Sequence, residues 1–231
     1  KFSNIYIKYL CSFIITLGIA LLLSLQPDIG QTLLVFFSWS VLIFTSGVSI
    51  FLLFFLFSSI ILIFFYLIFF VSKFTYIKNR LISFLDSETG TYNFQSDKAL
   101  ESITSGGFFG KGIGEGTLKN RVPEAHTDYI ISVISEEFGV IAIILIFLLF
   151  LVFIYSVFKK VNFENDETIK LILVGSVSLI LMQTIIHIGV NIRLFPTTGM
   201  TLPFISYGGS SIISVSILSG IILNFTKRNL N

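Results

Sequence analysis

Long apolar runs separated by short polar punctuation dominate this chain. Six of them, at about 6–25, 30–47, 49–72, 129–158, 169–190 and 210–225, carry little charge and approach the roughly 20 residues that a helix needs to cross a hydrocarbon core about 30 Å thick. Strands of a membrane barrel would instead show alternating segments of about 10 residues. The pattern therefore predicts an all-α polytopic membrane protein, a helical bundle with six transmembrane helices here. Only Gly47 to Ser49 separates the second run from the third, which predicts a tight hairpin. Two polar stretches interrupt the pattern, a large loop at 73–128 and a shorter one at 191–209, and the whole of 1–231 reads as a single membrane domain.

Composition strengthens this picture. Hydrophobic residues make up 54% of the chain and charged ones 12%, with 27 Phe, and the mean hydropathy is +0.93, far too apolar for a soluble domain. Half of the charge is concentrated at 73–128, which holds seven Lys or Arg and seven acids. The lone Cys11 can form no internal disulfide and reads as packing. A net charge of +2, without a basic run interleaved with aromatics, gives no nucleic-acid signature. Lys159 and Lys160 lie between the fourth and fifth runs, Lys227 and Arg228 follow the sixth, and Lys1 and Lys8 precede most of the first. Basic residues near helix ends are retained in the cytoplasm, so both chain ends are expected there and both polar stretches outside. The chain opens on Lys1 with no initiating Met and no signal-peptide pattern, and is expected to be a fragment lacking its upstream part.

Candidate chemistry concentrates at 105–137. Gly106, Gly107, Gly110, Gly112, Gly114 and Gly116 supply backbone that can approach a ligand and expose N–H groups, yet the run matches no Walker loop. It reads equally as a phosphate cradle or as a re-entrant turn. Pro123 to Asp128 then opens the fourth run. Thr127 or Asp128 suits a helix N-cap, but Glu124, His126 and Asp128 crowd within five residues, and Glu136 and Glu137 follow inside an apolar run where charge is costly and usually functional. Asp128 stands open between cap and site. As a site, its carboxylate would act as a general base or help hold a divalent cation such as Mg or Mn. With two His and no paired Cys, zinc is disfavoured. In the fifth run Gln183, His187 and Asn191 share one helical face, as glue between helices or as a cavity lining. Asp28 reads as a cap, and the 196–211 loop as either a compact connector or the border of a sugar groove.

Three blocks, LLSLQPDIGQT at 22–32, GGFFGKGIGEG through PEAHTDYIISVISEEFG at 106–139, and IGVNIRLFPTTGMTLPFISYGGSS at 188–211, resemble the SEDS proteins of shape, elongation, division and sporulation. PEAHTD with TGMTLPFISYGGSS, and the acidic TGTYNFQSDKALE stretch, are more similar to the division branch than to the elongation branch. The resemblance implies a ten-helix fold of which this chain matches the last six. It implies a glycosyltransferase that polymerises lipid II into glycan during septal wall synthesis, on the outer face of the bacterial cytoplasmic membrane. The family's aspartate lands on Asp128, as catalytic base or ligand of a divalent cation. Lys111, Lys119 and Arg121 are expected at the pyrophosphate. Arg193 would take a phosphate contact where many division-type members have a lysine and this chain has Thr198. Glu124, His126, Ser206 and Ser210 complete the expected substrate-binding set. Expected partners are the nascent glycan strand, a class B penicillin-binding transpeptidase and other division proteins of the membrane. A lipid II flippase and a non-enzymatic division scaffold are the rival readings.

Overall fold

The structure, a computed structural model, describes residues 5–85 and 94–227. Lys1, Arg228 and the 86–93 part of the acidic stretch lie outside them. The chain forms two compact units, Lys1–Asn79 and Arg80–Asn231. Among the described residues every regular element is helical.

In the first unit α1 (Ile5–Leu25) packs against α2 (Ile29–Thr45), which is followed by α3 (Ile50–Phe70). The α1–α2 seam centres on Trp39, whose ring lies 5.4 Å from that of Phe13 and whose Nε1–H donates to Ser12 Oγ at 3.3 Å. An indole buried in an apolar seam needs such a partner. Asp28 caps α2 as its position predicts, accepting the Gln31 N–H at 3.0 Å. Gly47 turns the chain between α2 and α3 at φ 91°, a left-handed conformation that glycine adopts without strain. Phe51, Phe54 and Phe55 on α3 are strongly exposed, as suits a helix whose solvent is lipid. A short 3₁₀ turn, Ser72–Phe74, leads to α4 (Thr75–Leu85).

The second unit holds the end of α4, then α5 (Phe94–Gly106), α6 (Ile130–Phe163), α7 (Glu167–Asn191) and α8 (Gly209–Lys227). The stretch expected as a loop at 73–128 is thus helical over much of its length. Its hydropathy is too low to betray α5, which buries small residues, Ser96, Ala99 and Ser102, against α6. At the end of α5, Gly106 meets the α6 backbone so closely that a Cβ there would fall 2.0 Å from the Ser135 carbonyl oxygen. α6 is broken at Gly139, whose φ of 79° and ψ of 176° interrupt the helix. α7, capped by Asp166 through the Thr168 N–H at 2.8 Å, is the core element, with half of its most apolar stretch buried.

Among the described residues five helices are long and apolar enough to cross a membrane, Ile7–Leu25, Ile50–Phe70, Ile130–Phe163, Glu167–Asn191 and Gly209–Lys227, and Ile29–Thr45 is a shorter apolar helix. The chain is a multi-pass membrane protein.

Candidate functional site

The break at Gly139 interrupts the helical hydrogen-bond ladder, and the glycine run takes up both the carbonyls and the amides left without helical partners. Lys111 N–H donates to Glu136 O at 2.8 Å, Gly112 N–H to Glu137 O at 3.0 Å, and Val140 N–H to Gly107 O at 3.0 Å. Such proximity requires glycine on both sides: a Cβ on Gly110 would fall 2.1 Å from Glu137 O, and one on Gly139 2.1 Å from Phe108 O. Glu136 is fully buried. Its Oε1 accepts from the Thr117 and Leu118 amides at 2.9 and 3.0 Å and from Lys111 Nζ at 3.3 Å, and its Oε2 from the Lys119 amide at 2.6 Å and Ser102 Oγ at 3.1 Å. Glu137 accepts from the Gly114 amide at 3.2 Å and from Lys119 Nζ. These amides close the loop onto α6, as a packed turn does, and a buried carboxylate demands such a set of donors.

Beside this turn, the amides of Thr127, Asp128 and Tyr129 all converge on Glu124 O at 3.1, 3.0 and 3.3 Å. Glu124 adopts φ 54° to close that turn. The turn places Tyr129 at the start of α6, with no side-chain cap, which corrects the capping role expected for Thr127 or Asp128. Thr127 Oγ1 instead donates to Glu124 O and Glu124 Oε2 at 3.1 and 3.0 Å. Among the described residues the Asp128 carboxylate takes part in no hydrogen bond or ion pair; what acts on it is burial and charge at a distance. Burial raises its pKa above the ordinary aspartate value, the Glu124 carboxylate raises it further, and the Arg80 guanidinium opposes both in part.

The second polar stretch folds over this segment. Tyr207 N–H donates to His126 O at 3.0 Å, Ser206 Oγ to Thr127 O at 2.7 Å, and Asn191 Nδ2 to Asp128 O at 3.0 Å. Gln183 and His187, on the same face of α7 as Asn191, reach Thr201 O at 2.9 Å and Met200 O at 2.7 Å. The stripe expected as glue between helices or as a cavity lining ties the loop to α7, and Gln183 Nε2 also reaches Ser211 Oγ on α8 at 3.4 Å. Gly199, at φ 73°, lies against Asp128, since a Cβ there would sit 3.6 Å from Oδ2. Arg80 anchors the same loop by donating from Nη1 to Thr197 O at 2.8 Å.

The sequence-predicted residues divide accordingly. Glu124, His126, Asp128 and Ser206 come together. Lys111 and Lys119 are ion-paired with Glu136 and Glu137, a departure from their expected place at a pyrophosphate, because the glycine turn folds them onto α6. Arg121 is exposed, and its charge reaches Glu101, which Lys98 above all holds below the usual carboxylate range. Arg193 is paired with Asp97 on α5 at 2.6 Å. His126 is exposed, 6.0 Å from the Tyr207 ring, and Ser210 is exposed on the first turn of α8. The Ser206 hydroxyl is engaged twice, since it also accepts the Leu202 N–H at 2.8 Å. Arg80 escaped sequence reasoning, and its only signal is a second cation in the amphipathic 75–85 stretch. No three of His, Cys, Asp and Glu converge among the described residues. An apolar groove of about 310 Å³ between Ile146, Leu149, Phe150, Phe153, Phe204 and Ile205 flanks the second stretch.

Comparison with known proteins bears on the chain as a whole. Residues 2–231 match the family model described as cell cycle protein, FtsW/RodA/SpoVE. The chain is 36% identical over 97% of its length to a protein of Caulobacter vibrioides named probable peptidoglycan glycosyltransferase FtsW, and 34% identical over 96% to a Trichlorobacter lovleyi protein of the same name. It spans 56% and 57% of those relatives. Among solved structures, one reported as structural coordination of polymerization and crosslinking by a peptidoglycan synthase complex aligns at TM-score 0.75 and 26% identity, over 95% of this chain and 62% of that one. The rod-shape-determining protein RodA of Thermus thermophilus aligns at TM-score 0.64 and 25% identity, over 100% of this chain and 60% of that one. The chain belongs to the FtsW/RodA/SpoVE family of cell cycle proteins.

Proposed function

We propose that this chain carries the catalytic part of a peptidoglycan glycosyltransferase, of the division type, that polymerises lipid II on the outer face of the cytoplasmic membrane at the septum. The observation that carries this reading is the Asp128 carboxylate: half-buried, free of hydrogen bonds among the described residues, raised in pKa and fixed at the edge of a membrane helix. A base kept without donors retains its basicity for a substrate proton.

In the reaction, Asp128 takes the proton of the acceptor sugar 4-hydroxyl. The hydroxyl oxygen forms a bond to the anomeric carbon of the donor strand, the bond from that carbon to pyrophosphate breaks, and the lipid pyrophosphate leaves with its electron pair. The apolar groove beside Phe204 and Ile205 suits the lipid chain. Arg121, which is exposed, rather than the paired Lys111 and Lys119, is the cation for the leaving group. The donor set fits a magnesium-type ion, which is held by one or two carboxylates together with substrate phosphates. As the alternative to the base role, Asp128 would hold it together with Glu124 and orient the acceptor hydroxyl, and the ion would neutralise the departing pyrophosphate. Ile29–Thr45 is read as a sixth crossing, and a class B transpeptidase as the partner, supported by the synthase complex among the structural neighbours.

Asp128→Asn in the purified full chain is expected to lower glycan polymerisation from lipid II by about 10²- to 10⁴-fold, the usual worth of a general base, with membrane insertion unchanged. Undiminished polymerisation would remove the base assignment and leave a flippase or a scaffold as the reading.

A further inference from the structure

Three successive carbonyls, those of His126, Thr127 and Asp128, accept hydrogen bonds from three separate places: the Tyr207 amide, the Ser206 hydroxyl and the Asn191 side-chain amide. This is not helix or sheet geometry. In a helix those oxygens would be taken by amides three or four residues further along. Here the chain bends too sharply for that, because the three amides at 127–129 have already turned back to Glu124 O. The segment that presents the carboxylate is consequently held by no ladder of its own.

We infer that Ser206 and Asn191 are positioning residues for the transferase reaction, acting through the backbone of 126–128 to fix where the Asp128 carboxylate stands. The inference rests on Asp128 being the base. Ser206 is buried at 5% exposure and Asn191 at 0%, so neither reaches substrate. Each is locked in turn: Ser206 Oγ accepts the Leu202 amide at 2.8 Å, and Asn191 Nδ2 also donates to His187 O at 2.9 Å. Asn191 extends the stripe whose other members, Gln183 and His187, hold Thr201 O and Met200 O. The loop that supplies Ser206 and the helix that supplies Asn191 are therefore one rigid piece where they meet the HTD turn. With the Asp128 carboxylate making no hydrogen bond among the described residues, its backbone is the principal means of orienting it. A displacement of about 1 Å at a reacting group can cost roughly 100-fold in rate.

Ser206→Ala, Ser206→Thr, Asn191→Ala and Asn191→Asp are to be assayed in the full chain for lipid II polymerisation. Ser206→Ala and Asn191→Ala are expected to lower kcat about 10- to 100-fold with KM within about twofold. Ser206→Thr, which keeps the hydroxyl, is expected to recover most of the rate, while Asn191→Asp, which loses the amide donor, is not. Each alanine change repeated in an Asp128→Asn background is expected to add nothing, because there is no longer a base to misplace. Full kcat in both alanine variants, or an equal loss in the Asp128→Asn background, would overturn the inference. If Asp128→Asn alone kept full activity, the base reading would fall, and the inference with it, on separate evidence. Melting temperatures of the four variants separate misfolding from misplacement, and Ser206→Thr with a native melting point but alanine-like kcat would also overturn it.

Discussion

An aspartate removed from water and set near Glu124 holds its proton more tightly than a solvated one. Its ionised form weakens the fold as pH rises through the raised folded-state value, and that penalty is absent below the ordinary value of 3.8. Asp128→Asn should accordingly melt at the same temperature as the parent or higher at pH 7, the difference narrowing as pH falls toward 4, while activity is lost; a clear drop in melting temperature at pH 7 would contradict it. The acid limb of the rate profile should follow the same charges. Glu124→Gln removes a repelling carboxylate and should move that limb to lower pH, and Arg80→Gln removes an attracting cation and should move it to higher pH. A profile indifferent to both would show that some other group sets the limb. The candidate itself was legible in the sequence, because HTD crowds charge at the edge of an apolar run. Its failure to cap was not, since Thr127 and Asp128 fall two residues and one residue ahead of the N-cap position at Tyr129, in a turn closed by the positive φ at Glu124.

At the scale of elements, α6 and the glycine run make a single interlocked object. Gly110→Ala and Gly139→Ala each place a Cβ inside 2.5 Å of opposing backbone at a positive φ. Each should destabilise the protein by about 2 kcal/mol or more, read as reduced melting temperature in detergent. Gly107→Ala has open space around its Cβ but also sits at positive φ, and should cost only about 1 kcal/mol. Glu136→Gln leaves the shape and removes the charge that five donors address, with an expected loss of about 2 kcal/mol or more. The apolar helices could be read from sequence because each is encoded in contiguous residues. The role of Glu136 could not, since its partners lie 17 to 34 residues away, and α5 has no hydrophobic stripe to announce it. The glycines announced a close approach without saying to what.

Across the whole molecule, the second polar stretch and the HTD turn are far apart in sequence and meet in space, which the positive-inside pattern anticipated only as a shared side of the membrane. That shared side is checked with single cysteines in a Cys11→Ser background. Positions 113 and 210, both exposed, should react from outside the cell with an impermeant maleimide, and 165 should not. Labelling at 165 from outside would invert the topology. The break in α6 gives this arrangement a vertical scale. Beyond Gly139 the chain runs from Val140 to Phe158 without a charge, about 28 Å of helix at 1.5 Å per residue, close to the thickness of the hydrocarbon. Gly139 is in effect the waterline. Glu136 and Glu137 then belong to the headgroup zone, where ionised groups are tolerated, and the length of one helix sets how high above the lipid tails Asp128 stands.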